Sequence, residues 1–425
     1  MSAELAGIKS SGGNRTAWIV ATSAASALAL LAEGKLPLAL SLPSVQTLDL
    51  SNYAWLGYVV VIFLVALGTP WLETFVPRRS LLAAATAVGG VALGTVAVLG
   101  CACLGATVSV VLVALAALLV RHIAVIGDVA YLGLLTHEER VRWYLLKRLG
   151  AALGGAFPAV LAPLVLRAMP NQQPAPYREL AGLATAFLLL AGVLIWVLPA
   201  FGERDAPMSR VGWRTAASTA YYELRHLDGL WVVVFASVLL PLSTSAIDQV
   251  VPYILLQSPS EGGYGIDNVT LGTIFGVLGT TASLAGLLVG WILLRSYSPQ
   301  RLIVAAAVAT LVGVLGWWAF VAPKATTLLW LSAAVCLDRV GQGFANLVVL
   351  LLMMQIVGVT RCYATVLSWV VLCSVLSRIL VSRIIEQVSL WLGFGHTMPI
   401  LAIMAVLATV GLLVVSSRKA EGAMT

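Results

Sequence analysis

Ionisable side chains lie within long apolar stretches of this sequence, and they are the residues whose types could support chemistry. The densest stretch, 121–150, places Asp128 in one apolar run and Lys147 and Arg148 in the next, on either side of the polar turn THEER. Charges inside a membrane span usually face a cavity, a pathway or one another, because burying them in lipid is costly. This hairpin is therefore predicted to form one wall of a polar cavity.

The composition of the chain indicates that these apolar runs cross a membrane. Hydrophobic residues make up 60% of the 425 residues and charged residues 10%, with a mean hydropathy of +0.99. Soluble domains carry about 25% charged residues, so a soluble fold is excluded. Continuous apolar runs of about 20 residues favour helices over the alternating strands of a barrel. The sequence predicts an all-α, polytopic membrane protein with about twelve transmembrane helices.

A polar stretch, 201–228, divides the apolar runs into two sets of six. We predict an N-terminal six-helix bundle over 1–200, a cytoplasmic linker over 201–228 and a C-terminal six-helix bundle over 229–425. This is the layout of the major facilitator architecture. The spans of the second half are expected near 229–257, 270–294, 302–321, 327–357, 363–386 and 398–415.

The distribution of Lys and Arg among the loops predicts the orientation. Most of these residues fall on one side of the membrane, together with the linker and both ends of the chain. The positive-inside rule then places both termini in the cytoplasm, with the protein in a bacterial inner membrane. The same bias accounts for the net charge of +7 without a nucleic-acid partner. The four histidines and five cysteines show no metal-ligand spacing, so no metal site and no cofactor are expected.

The charges of the first half allow both functional and structural interpretations. Glu33 and Lys35 flank a Gly–Pro break in the first span, and a broken helix exposes backbone groups that can bind a ligand. They could instead form a local pair that neutralises itself. Asp128 could pair with Lys147 or Arg148, either as a relay or substrate contact or as an ion pair that locks the hairpin.

The second half places four further charges within its spans. Asp248 lies in the seventh span, the neighbours Asp338 and Arg339 in the tenth, and Arg378 in the eleventh. Isolated carboxylates inside a span are candidate proton carriers, and basic groups are candidate binders of anionic cargo. The structural alternative is a buried pair, such as Asp338 with Arg378.

Four stretches of the sequence resemble AmpG-like permeases of the major facilitator superfamily. GDVAYLGLLTHEER is similar to the family's FDAWKTDVLPAEER, with Asp128 at the first acidic position, and KRLGAALGG is similar to the YRLG segment that follows it. LPLALSLPSVQTLDLSNYAWLGY and DRVGQGFANLVVLLLM resemble the family's first span and the acidic, glycine-rich start of its tenth. The sequence departs from the pattern at Gly133, where the family has a second acidic residue.

The resemblance is greatest to a branch associated with siderophores, the YbtX-like permeases of yersiniabactin systems. It implies a proton-coupled secondary transporter that imports a siderophore or metallophore, or its iron or zinc complex, alongside other uptake components. The alternatives are a muropeptide permease and a membrane sensor that binds a metallophore without moving it. The sequence has no HExxH, GxSxG or paired-carboxylate motif, so no enzymatic activity is expected.

Overall fold

The structure of the chain is a computed structural model. It describes residues 230–422, except for gaps at 257, 260–262, 295, 298, 322–326, 358–362 and 393. Before residue 230 it describes only single positions: 87, 88, 91, 95, 185, 186, 189, 190, 193, 215, 218, 221, 222, 225 and 226. The chain divides into two compact units, Met1–Arg225 with Arg361–Ser368, and His226–Thr360 with Trp369–Thr425. The description below concerns mainly the second unit.

The described part of the second half is built from long helices. In chain order they are α1 (Leu230–Leu256), α2 (Asn268–Gly272), a π-helical turn (Thr273–Leu278), α3 (Gly279–Leu294), α4 (Pro299–Val321), α5 (Leu328–Val357), α6 (Tyr363–Leu392) and α7 (Phe394–Gly422). Four stretches within them are long and apolar enough to cross a membrane: Thr270–Leu294, Arg301–Val321, Leu328–Met353 and Thr397–Val414. These lengths and compositions are those of a multi-pass membrane protein.

The helices agree with the six spans predicted for this half. α1 and α5 end at the predicted residues to within one position, and the eighth span corresponds to α2, the π turn and α3 together. α6 and α7 extend beyond the predicted apolar runs, to Leu392 and Gly422. The extensions follow because a helix continues while its backbone hydrogen bonds are satisfied, whether or not its side chains are apolar.

α5 packs between α3 and α4 at positions where only glycine fits. A Cβ atom at Gly343 would collide with the backbone carbonyl of Ser283 on α3, and one at Gly341 would lie 2.7 Å from the carbonyl oxygen of Ala309 on α4. On α3, Gly286 faces the backbone of Val340 in the same way. Small residues let transmembrane helices approach until their backbones touch. The glycines near the middle of α5 therefore allow close backbone packing on two faces of the helix.

The core of this unit contains large aromatic residues. Trp317 is 0% exposed and Phe320 is 2% exposed, and the two rings meet edge to face with 5.9 Å between their centroids. The neighbouring Trp318 is 44% exposed. Adjacent residues on a helix point about 100° apart, so the Trp317 indole lies in the core while that of Trp318 is exposed.

The loop that precedes α2 is anchored to the end of α1. The amides of Tyr264 and Ile266 donate to the carbonyls of Ile254 and Leu255, at 3.3 and 2.8 Å. Gly265 has φ of +64°, a left-handed conformation that glycine adopts without strain. The loop is thereby folded back over α1 before the next span begins.

Asp267 caps the first turn of α2, and its loss should loosen this end of the span. Its carboxylate accepts from the Thr270 amide at 3.0 Å and from the Thr270 hydroxyl at 2.5 Å. We expect Asp267→Ala to destabilise this turn by about 1 kcal/mol, because the capped amide loses its acceptor. Hydrogen exchange of the amides at 268–272 should then accelerate about fivefold. Asp267→Asn retains an acceptor and is the matched control. Equal exchange in the Ala variant and the wild type would show that the cap is dispensable.

Candidate functional site

The candidate site in the described part of the chain is a polar cluster on α5. Asp338 and Arg339 lie about a third of the way along this 30-residue helix, far from its ends. Successive residues on a helix point about 100° apart. The two neighbouring charges therefore face different helices, as their contacts show.

Asp338 faces α4. It is 1% exposed, and its Cα atom would lie 2.7 Å from a Cβ at Gly313, with Oδ1 at 3.4 Å. The absence of a side chain at Gly313 is what allows α4 to cover the carboxyl group. Asp338 is thus a buried acidic group at a helix–helix contact.

Arg339 faces the eighth span. Its Cγ would lie 3.3 Å from a Cβ at Gly279, the first residue of α3. Its guanidinium carbon lies 5.7 Å from the ring centroid of Phe275, in the π turn, which is within the range of a cation–π interaction. The side chain is half-buried.

Gln342 joins the two charges. Its amide nitrogen donates to Asp338 Oδ2 at 3.2 Å, and its amide oxygen accepts from Arg339 Nη1 at 2.8 Å. The amide therefore satisfies an acceptor on one side and a donor on the other. Positions i and i+3 or i+4 are neighbours on a helix surface, so one helix can hold all three groups.

A series of aromatic contacts leads from this cluster to the loop before α2. Phe275 stacks on Trp317, with 6.0 Å between centroids and an angle of 19° between the rings. Trp317 contacts Phe320, and Phe320 stacks on Tyr264 at 5.3 Å. Burial raises the pKa of the Tyr264 phenol, so this ring stays neutral at physiological pH.

Two of the predicted site residues are brought together in the described part of the chain, namely Asp338 and Arg339. Asp248 lies within α1 and Arg378 within α6, as predicted, but their side chains are outside the description. Glu33, Lys35, Asp128, Lys147 and Arg148 lie outside the described residues. The suggested pair of Asp338 with Arg378 therefore stays a prediction. 

Two residues that contact Arg339 were not among the predicted site residues: Gln342, in the polar cluster, and Phe275, in the π turn. The sequence did contain a signal for Gln342, because residues four positions apart on a helix, such as Asp338 and Gln342, are neighbours on its surface. Phe275 carried no such signal, because its position depends on the π turn. Among the described residues, no group of three His, Cys, Asp or Glu side chains is placed to hold a metal ion.

Comparison of the whole chain with solved structures identifies its fold. The nucleoside transporter NupG, in a mutant form, matches with a TM-score of 0.64 at 12% identity, covering 94% of this chain and 99% of that one. FucP in its outward conformation, a major facilitator superfamily transporter, matches with a TM-score of 0.67 at 12% identity, covering 95% and 97%. The chain has the major facilitator fold. In that fold, twelve helices form two halves, and the predicted all-α class is confirmed.

Other matches extend the same likeness. A mutant of the E. coli fucose:proton symporter FucP matches with a TM-score of 0.64 at 13% identity over 94% of this chain. A mutant of XylE gives 0.68 at 13% identity over 94% of this chain. No protein-family model and no curated protein sequence matches the chain. At these identities the major facilitator fold is shared, whereas the resemblance to AmpG-like and YbtX-like permeases stays a prediction.

Proposed function

We propose that this chain is a secondary active transporter of a small molecule in the bacterial inner membrane, with both termini in the cytoplasm. The observation that carries the proposal is the major facilitator fold, shared over 94–95% of the chain with transporters. Two six-helix halves, 1–200 and 229–425, would be joined by the linker 201–228 and would expose the cargo site to each side of the membrane in turn.

Within this proposal the charges of α5 take separate roles. Arg339 is the group that binds an anionic part of the cargo, because it is a half-buried cation within a span. Asp338 is the proton carrier, because it is buried at 1% exposure and an ionisable group at such a site marks a proton pathway. Glu33, Lys35, Asp128, Lys147, Arg148, Asp248 and Arg378 complete the proposed pathway.

Asp338→Asn should separate proton coupling from cargo movement. We expect the variant to lose accumulation driven by a pH gradient while retaining counterflow, in which labelled cargo exchanges with unlabelled cargo and no net proton moves. The asparagine keeps the shape and an acceptor for Gln342, so the packing against Gly313 is preserved. Both reactions are measured in proteoliposomes that contain equal amounts of protein. Gradient-driven accumulation at the wild-type level in the variant would exclude Asp338 as the carrier.

The proposed cargo is a siderophore or metallophore, or its iron or zinc complex. This part rests on the sequence resemblance to the siderophore branch of AmpG-like permeases. A chelate that carries ionised oxygen ligands supplies the anionic group that Arg339 would bind. It also brings its own metal ligands, so the protein would need none.

A panel of labelled compounds tests the cargo. Separate batches of proteoliposomes would be loaded with a ferric siderophore, an anhydro-muropeptide, a nucleoside or fucose. The nucleoside and fucose are included because the similar structures include a nucleoside transporter and a fucose:proton symporter. We expect counterflow of the siderophore complex alone. Counterflow of the muropeptide instead would support the alternative that the protein is a muropeptide permease. Saturable binding of the siderophore complex without counterflow would support the sensor alternative.

A further inference from the structure

The guanidinium of Arg339 contacts two side chains, one on its own helix and one in the π turn. Its Nη1 donates to the Gln342 side-chain oxygen at 2.8 Å, and its central carbon lies 5.7 Å from the Phe275 ring centroid. A long, flexible arginine usually loses rotamer freedom when it binds a ligand. Contacts that already fix the side chain remove part of that loss.

The π turn is what places Phe275 beneath the guanidinium. A π turn inserts an extra residue into a helix and shifts the register of the residues before it, and such turns occur frequently at functional sites. Phe275 is inside this turn, and Gly279 follows directly at its end. With no side chain at Gly279, the stem of Arg339 passes 3.3 Å from where a Cβ would be.

The ring beneath Arg339 is itself braced. Phe275 stacks on Trp317, and Trp317 is 0% exposed, so the Phe275 ring is also in contact with the packed core. Gln342 is likewise held at both ends of its amide, because its nitrogen donates to Asp338 Oδ2. Neither support is a freely rotating side chain.

We propose that Phe275 and Gln342 are positioning residues that fix the orientation of the Arg339 guanidinium for an anionic group of the cargo. The inference rests on the proposed transport function and adds to it the residues that determine affinity for the anion. Loosening the guanidinium leaves its charge in place but restores its rotational freedom. The Michaelis constant therefore rises more than the maximal rate falls.

A double-mutant cycle between Phe275 and Arg339 tests this positioning. We expect Phe275→Leu to raise the KM for counterflow of the ferric siderophore about tenfold, which is the size of a partly desolvated cation–π contact, and Phe275→Tyr to keep the wild-type KM. In an Arg339→Gln background, Phe275→Leu should change the KM less than twofold. A merely structural role, packing against Trp317, would give the same factor in both backgrounds.

Gln342→Met is the second arm, because methionine keeps the length of glutamine and removes both hydrogen bonds. It should raise the KM about tenfold, as expected for a hydrogen bond to a charged group. Thr409→Val on α7 is the matched control, since that hydroxyl donates only within its own helix, to Ala405 at 2.8 Å. An unchanged KM in both Phe275→Leu and Gln342→Met would overturn the inference.

A second readout needs no transport. The same cycle is measured on the thermal unfolding of the purified protein, where coupling between Phe275 and Arg339 should appear as a non-additive shift in midpoint. If the wild-type protein moves no compound, the proposed function fails, and the unfolding cycle still decides whether the two side chains are coupled. Additive shifts in unfolding midpoint would reject the positioning contact itself.

Discussion

Gly343→Ala should strongly destabilise the second half of the protein. The added Cβ would collide with the carbonyl oxygen of Ser283 and lie 2.8 Å from its carbonyl carbon. Because the obstacle is the backbone of α3 and not the end of a flexible side chain, α3 and α5 would have to separate. Overpacking typically costs about 1–3 kcal/mol, and we expect at least the upper end of that range here. The yield of monodisperse protein after detergent extraction measures the loss.

Gly411→Ala is the matched control for this prediction. A Cβ at Gly411 would have Leu239 Cδ1 as its nearest neighbour at 3.6 Å, an ordinary van der Waals distance. Alanine is favoured over glycine within a helix by about 1 kcal/mol, so this variant should be at least as stable as the wild type. Wild-type yield and thermal stability in Gly343→Ala would mean that α3 and α5 are not in backbone contact.

Arg339→Gln should abolish efficient transport of an anionic cargo while the protein remains folded. Glutamine retains polarity at this half-buried position but removes the positive charge and the bidentate donor geometry of the guanidinium. A hydrogen bond to a charged group contributes about 1.5–3 kcal/mol, so we expect kcat/KM for counterflow to fall about 100-fold. Counterflow kinetics in proteoliposomes give this ratio directly.

The control for this variant is Arg301→Gln at the exposed start of α4. It removes the same charge from the same half of the protein, at a position near the helix end. It should leave kcat/KM within twofold of the wild type. Equal kinetics in Arg339→Gln and the wild type would show that Arg339 is not part of the proposed cargo site. Equal losses of kcat/KM in Arg339→Gln and Arg301→Gln would show that the effect comes from the change in net charge.

The helices of the second half were largely predictable because their apolar runs are long and continuous. α5 was expected over 327–357 and begins and ends at Leu328 and Val357. Lipid requires every backbone group in a span to be satisfied within the span, so hydropathy alone predicts helix and approximate ends. The π turn at Thr273–Leu278 was not foreseen, since its residues are as apolar as those of the flanking helix.

The candidate site was predictable only in part. The charges of Asp338 and Arg339 stood out from the apolar residues around them, but their separate partners did not. Which side of α5 each residue faces depends on how closely α3 and α4 approach, and that approach is set by glycines such as Gly313 and Gly279. The cation–π contact with Phe275 joins residues more than 60 positions apart, so no local pattern contains it.

The measurement that tests the central claim most directly is accumulation of labelled ferric siderophore in proteoliposomes under an imposed pH gradient. Secondary active transport predicts that the internal concentration rises above the external one and that a protonophore collapses the difference. Arg339→Gln vesicles should show neither effect. Equilibration without accumulation would indicate a passive pathway. Absence of uptake for the siderophore complex, muropeptide, nucleoside and fucose alike would contradict the assignment of this chain as a transporter of these solutes.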